Sequence, residues 1–304
     1  MEIADYQSGE VVYRSDAVTL RGADLHGVRF TGGDLRGLDL RGANLAGAAL
    51  QSAVLLGTRL DGANLEGADL WTATLGDWES RAPGAADLQY STQEQAEEAH
   101  VLWNQMDWWS RLSLFRGARL RRANLRGANL SLATVNGVDF READLTGCTL
   151  EHTNLRVADL RGTVLAGANL THSVLPLRCG HLDLTGADLR WSRCDIAMLT
   201  ALRARGADFR GAHLHNTVLR GADLEGASFH CAYLQHANLR VANLRSADLS
   251  GADLRGAKFA DACLAGTQFQ DAVYDSTTQW PRNFDPASHG AQVLAPWHTK
   301  RTKR

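Results

Sequence analysis

A large apolar residue returns every fifth position along most of this chain. Leu20, Leu25, Phe30, Leu35 and Leu40 begin the series, which runs without a break to Leu75. The same phase resumes at Phe115 and Leu120 and continues to Leu175. A third run, one residue out of step, goes from Leu184 to Phe269. Two residues before most centres stands a small side chain, as at Ala43, Ala123 and Ala252. The position just before the centre is usually Asp or Asn, and Gly is common two residues after it. A period of five matches neither an α-helix, at 3.6, nor a flat strand, at 2. It matches a chain that turns a corner every five residues. The centre and the small residue before it point inward, Asp or Asn and the residue after the centre point outward, and Gly at the corner tolerates backbone angles other residues resist. Coils stacked at the spacing of paired strands would lay centre over centre in a continuous core. A disordered low-complexity tract has no need of so regular a large apolar residue.

Composition narrows the function classes. The 304 residues carry 32 basic and 34 acidic side chains, for a formal net charge of -2. That balance speaks against a generally basic nucleic-acid binder and against a strongly acidic protein. No run of 18 apolar residues offers a membrane span. The stretch from Met1 to Asp16 carries Glu2, Asp5 and Glu10 and lacks the apolar core of a secretory signal. Cys148, Cys179, Cys194, Cys231 and Cys263 show no metal-ligand spacing, so a reducing cytoplasm is the expected setting.

The units Ala23-Asp24-Leu25, Ala43-Asn44-Leu45-Ala46-Gly47, Ala123-Asn124-Leu125-Arg126-Gly127 and Ala252-Asp253-Leu254-Arg255-Gly256 resemble the repeats of the pentapeptide-repeat family. The resemblance implies an all-β fold, a right-handed quadrilateral parallel β-helix. Four pentapeptides make one square coil, and residues twenty apart stack. About 11 coils at a strand spacing of ~4.8 Å would make a rod roughly 50 Å long. The family's best understood members imitate duplex DNA and protect a type II topoisomerase such as DNA gyrase from inhibitors.

Three departures from the repeat divide the chain. Residues 1–75 read as an N-terminal cap and first repeat segment, and 76–113 as an insertion. There Ser91-Thr92-Gln93-Glu94 is a capping-box signature, and Ala99, Leu102, Trp103, Met106 and Trp109 recur at helical spacing. The pattern predicts one inserted α-helix over about 92–112. Residues 114–274 read as the main solenoid, with a corner loop near 176–183 where the phase slips. Residues 275–304 read as a C-terminal cap built on Tyr274, Trp280-Pro281 and Phe284-Asp285-Pro286, followed by a basic tail of Lys300, Arg301, Lys303 and Arg304. A cap is expected because the last coil of a solenoid exposes an unpaired edge.

No phosphate loop, H-E-x-x-H or G-x-S-x-G motif is present, so no catalytic residue, metal or cofactor is expected. The twenty-residue stacking implied by the resemblance instead places outward side chains in columns. Arg121, Arg141 and Arg161 form a ladder beside Asp139 and Asp159, read either as a solvated paired face or as a site for an anionic partner. His213 lies under Tyr233, and His215 lies between Asp195 and Gln235. Trp103, Met106 and Trp109 form a further candidate surface, which either packs on the rod or binds a partner.

These features predict a non-catalytic protein-binding solenoid with a protein partner, DNA gyrase in its most concrete version, and no direct nucleic-acid binding. Duplex DNA carries one charge per ~1.7 Å, so ~50 Å of it would carry about 30. A chain at -2 that alternates Asp with Arg could offer only a local acidic stripe. The alternatives are a ligand-binding or enzymatic accessory protein with a pocket under the Trp-rich helix, and a scaffold for another protein.

Overall fold

A computed structural model describes residues 1–76, 117–177, 179 and 181–294. Parallel bridges join residues twenty apart along this length, as in Asp24 to Asn44 to Asn64 and Asp208 to Ser228 to Asp248. In most units the centre's N–H donates up to the next coil, as from Leu45 to the Asn64 carbonyl at 2.6 Å. A tight turn follows, in which the Ala48 N–H donates to the Leu45 carbonyl at 3.0 Å. The result is a four-cornered parallel β-helix in which every pentapeptide is one side. The corner residue adopts a left-handed backbone, at φ 67 in Gly221 and φ 59 even in Trp191, which explains the frequent Gly.

The centres line four inner columns. The first contains Leu20, Leu40, Leu60, Leu120, Phe140, Leu160, Cys179, Leu199, Leu219, Leu239 and Phe259, all buried. The others start at Leu25, Phe30 and Leu35, and the four outer sides are called here the first to the fourth face in that order. Phe209 and Phe229 stack within the third column at 4.8 Å. Where Thr replaces the small residue, its hydroxyl is satisfied by a carbonyl of the preceding coil. Thr58 donates to Leu35 at 2.8 Å, and Thr217 to Cys194 at 2.7 Å. Asn side chains in the second face also bond in a ladder, Asn124 to Asn64 at 3.0 Å and Asn64 to Asn44 at 3.1 Å.

The helix predicted over 92–112 lies outside the described residues, as does Phe115. What the structure gives is the frame of the insertion. The Ala118 N–H donates to the Leu75 carbonyl at 2.7 Å, and Arg119 bridges to Arg59 as if residues 77–116 were not there. Joining Gly76 to Gly117 would give the spacing Leu75-Gly76-Gly117-Ala118-Arg119-Leu120, a regular five-residue step. A Cβ at Gly76 would collide with the Asn136 backbone, and one at Gly117 with the Gly137 backbone, so both glycines allow the chain to leave and re-enter against the next coil. Deleting residues 77–116 should therefore leave a folded β-rod with Tm shifted by only a few degrees, since the deletion closes on bonded neighbours. A Tm drop of tens of degrees would mean the insertion is part of the core.

The corner loop expected near 176–183 includes residues 178 and 180, which lie outside the described residues. Among the described residues the chain stays on the rod: the Met198 N–H donates to Leu177 at 2.8 Å, Cys179 to Met198 at 3.3 Å and His181 to Thr200 at 3.1 Å. Cys179 is fully buried as a column centre. The phase slips because this unit is one residue short, with Cys179 following Leu175 after four positions. The centres missing from the third run are also found. Cys194 and Ala204 occupy them, and buried Leu202 supplies, at the inward position before Ala204, the bulk that centre lacks.

Both ends are covered. At the start, β1 (Glu2–Ala4) and β2 (Val11–Arg14) form an antiparallel hairpin. It buries Ile3, bonds to the fourth face through the Asp34 N–H to the Ala4 carbonyl (2.8 Å), and packs Tyr13 edge-on against Phe30 at 5.0 Å. At the other end, β3 (Val273–Tyr274) pairs in parallel with β4 (Gln292–Val293). Trp280 lies flat on Phe259 at 4.9 Å, with Phe269, Tyr274 and Phe284 around it. The cap read from Tyr274, Trp280 and Phe284 is thus an aromatic lid; the basic tail lies outside the described residues.

Candidate binding surface

The outward columns bring the predicted residues together as two separate surfaces. On the first face, Arg141 is clamped by two bonds to Asp139, Nε to Oδ1 at 2.8 Å and Nη2 to Oδ2 at 2.6 Å, and its Nε lies 3.3 Å from Asp159. Arg161 makes the same clamp on Asp159, and Arg121 lies 3.9 Å from Asp139. The clamp recurs wherever Asp precedes a centre and Arg follows it, as in Asp39/Arg41, Asp188/Arg190, Asp208/Arg210 and Asp253/Arg255. Its geometry is local: two side chains on one short side of the coil, with the carboxylate also accepting the Arg backbone N–H, at 3.3 Å in Asp39/Arg41. The Arg41 bonds hold the Asp39 carboxyl well below the usual range. These carboxylates are therefore neutralised where they stand. Half-exposed pairs of this kind contribute little to stability, but they remove the free negative charge that the sequence alone suggests.

On the lower fourth face, His213 stacks under Tyr233 at 4.8 Å, as expected, and Tyr233 remains 43% exposed. The His215 N–H donates to Asp195 at 3.3 Å. Continuing the same column, Gln235 donates to Asp253 at 2.7 Å, next to Arg255 and then Asp275. His236, at the corner, meets the His215 ring edge-on at 5.5 Å. Together these groups line an open recess of about 440 Å³. Beside it, the buried side-chain nitrogen and oxygen of Asn216 have no partner. Arg255 and Asp275 are the lining residues the sequence reading did not name, while His236 belongs to the His-rich coil region that it did. Extending the twenty-residue rule from His215 and Gln235 finds Arg255 and Asp275, whereas His236 needs the corner geometry.

His236 is held below the ordinary histidine value, first by loss of water around its ring and then by the neighbouring His215, with Lys258 and Arg255 adding to the effect and Asp275 opposing it. Its folded pKa is lowered, so any contribution it makes to stability is complete above about 6.5 and is lost as pH falls through the folded value. By NMR, His236 should titrate below the ordinary histidine value, and His215→Gln should move it upward. An unchanged midpoint would separate the two rings electrostatically.

Trp103, Met106 and Trp109 lie outside the described residues. Of the cysteines, Cys148, Cys179 and Cys194 are buried, and burial pushes their thiols up, Cys194 to about 12. No group of His, Cys, Asp and Glu among the described residues is arranged to hold a metal ion.

The family model for pentapeptide repeats matches eight copies, over residues 39–76, 113–141, 139–175, 205–240 and 237–273. Among solved structures, the chain is similar to HetL, a pentapeptide repeat protein involved in heterocyst differentiation regulation from the cyanobacterium Nostoc sp. strain PCC 7120. Identity is 30%, over 80% of this chain and 83% of that one, with a TM-score of 0.31. It is also similar to QnrB1, a plasmid-mediated fluoroquinolone resistance protein, at 21% identity over 58% and 82% of the two chains and a TM-score of 0.32. A pentapeptide repeat protein of the Arabidopsis thaliana thylakoid lumen matches at 25% identity over 51% and 69%, with a TM-score of 0.13. No curated protein matches the chain.

Proposed function

This chain belongs to the pentapeptide-repeat family, whose fold is the right-handed β-helix, and from that premise we propose that it is a non-catalytic solenoid that binds a protein partner through the lower fourth face. The observation that carries this reading is the recess around Tyr233 and His213. Elsewhere the described outward positions are mostly short polar side chains, arginines and clamped Asp/Arg pairs, with Trp71 and Trp191 exposed away from such a recess. Here the rings of His213, His215 and Tyr233 adjoin the clamped Arg255 and the carboxylates of Asp195 and Asp275 on a rigid ladder. Tyr and Arg are the side chains that dominate protein interfaces, because they add large contact area at low ordering cost. The main chain under the ladder is bonded to the coils above and below, so docking requires little backbone reorganisation.

The more specific version, in which the rod imitates duplex DNA and guards a type II topoisomerase, meets opposition on the surface itself. A DNA mimic needs free negative charge along one side. Here the first-face carboxylates Asp39, Asp139 and Asp159 are consumed by arginines. Purified DNA gyrase separates the two versions. Under our reading, the protein gives no protection of supercoiling against a quinolone, and cross-linking from the native host captures a partner that is lost in the double variant His213→Ala, Tyr233→Ala. Protection that survives that double variant would overturn the fourth-face assignment in favour of mimicry.

A further inference from the structure

The near-zero net charge hides a division between faces. Every coil from the top of the rod to Leu160 sets at least one arginine on the first face: Arg21, Arg41, Arg59, Arg121, Arg141 and Arg161, with Arg119 beside them. Below the short unit at Cys179 the same columns hold Arg220, Arg240 and Lys258, because the missing residue brings the third run back into vertical register. The only carboxylates on these columns are Asp39, Asp61, Asp139 and Asp159, so cations outnumber them by more than two to one among the described residues. The third face has the opposite balance, with Arg29, Arg190 and Arg210 against Asp69, Glu151, Asp188, Asp208 and Asp248.

We infer that the first face is a binding track for the phosphate backbone of duplex nucleic acid, read without regard to sequence. Three features fit that partner. First, the charge is spread along the rod, roughly 50 Å at the ~4.8 Å strand spacing, which suits a linear polyanion and not a single anion. Second, the cations are almost all arginine, whose planar fork matches phosphate oxygens. The clamps on Arg41 and Arg141 engage Nε and Nη2, which fixes the guanidinium plane and leaves Nη1 for a ligand. Arg21, Arg220 and Arg240 carry no ion pair among the described residues and are exposed. Third, the described outward positions of this face include no Phe, Tyr or Trp, for example Thr200, Val218, Asn238 and Ala260. A single strand, which is held by base stacking on aromatic rings, finds no platform here. With no described element projecting from the face to enter a groove, phosphate contact is what the track offers among the described residues. This inference reverses the expectation of no direct nucleic-acid binding. That expectation rested on net charge, which sums over all faces.

The test uses the full chain and a fluorescent mixed-sequence DNA duplex of about 15 base pairs, the length that spans the rod. Anisotropy is followed against salt for three proteins of unchanged circular dichroism: the parent, Arg21→Glu with Arg220→Glu and Arg240→Glu, and a control with Arg29→Glu, Arg156→Glu and Arg245→Glu on the other faces. The basic tail is kept in all three, so it cannot account for a difference. The parent should bind with strong salt dependence. The first-face variant should lose at least tenfold in affinity, and its slope of log K against log salt should be shallower by about 2–3, near 0.9 for each phosphate contact removed. The control should lose much less. Absence of binding at low salt, equal loss in both variants, preference for the single strand, or capture of polyglutamate in place of duplex would each overturn the assignment. Because the fourth face is untouched in the first-face variant, failure here leaves the protein-binding reading standing.

Discussion

Leu145→Asp should fail to fold as a single rod. Leu145 is fully buried in the second column, with Leu125 and Leu165 above and below it through the bridges of Asn124, Asp144 and Val164. The substitution removes about 1.5–3 kcal/mol of apolar burial. It also buries a carboxylate within the apolar core cluster, a cost of several kcal/mol more. Domains of this size commonly hold only about 5–15 kcal/mol in total. In a stack where each coil contacts only its neighbours, one broken coil uncouples the two halves. The expected result is insoluble protein or two weak unfolding transitions in urea, whereas Leu145→Met should stay within about 1.5 kcal/mol of the parent. A soluble Asp variant with an unchanged melting curve would show that the centres do not point inward.

Trp280→Ala should cost about 3 kcal/mol and promote association of rods through their ends. Trp280 takes the place of a centre beyond the last regular coil. The Gln279 carbonyl accepts the Phe259 N–H at 2.6 Å, and the indole covers Phe259 at 4.9 Å and meets Phe269 at 5.5 Å. Without it, the aromatic faces of the final coil and its unpaired backbone edge reach solvent, the usual route to edge-to-edge aggregation. Trp280→Phe is the informative control. The indole Nε1 is buried with no partner, so a phenyl ring loses area but no hydrogen bond and should remain within about 1.5 kcal/mol. Light scattering that rises with concentration in the Ala variant and not in the Phe variant supports the lid. Equal behaviour of both variants would place the seal elsewhere, in β4 or in the Phe284 ring.

The sequence carried the architecture because the fold is local. Each pentapeptide writes its own corner, inward pair and outward pair, so Leu20 to Leu75 can be read unit by unit, and Trp280 and Phe284 announce the end of the stack. The clamp is equally legible, since Asp, centre and Arg fall within three residues. The stacking of His213 on Tyr233 followed once the coil was known to hold four units.

What escaped the sequence was anything that depends on register carried across an irregularity. Residues 176–183 read as a loop because a four-residue unit and the small centres Cys179, Cys194 and Ala204 together erase the periodic signal. Only the hydrogen bonds from Met198 to Leu177 and from Cys179 to Met198 show that the columns continue. The same difficulty hid the basic face, because the phase slip leaves Arg220 and Arg240 with no evident relation to Arg121, and the net charge of the chain cancels one face against the others. Sequence by itself determined the period, the inward and outward assignment and hence the β-helix, since these are set by steric and solvation preferences within five residues. Tertiary structure alone decided which outward side chains share a face, since that is set by backbone bonds between coils twenty residues or more apart, and one residue lost at a corner shifts every later position.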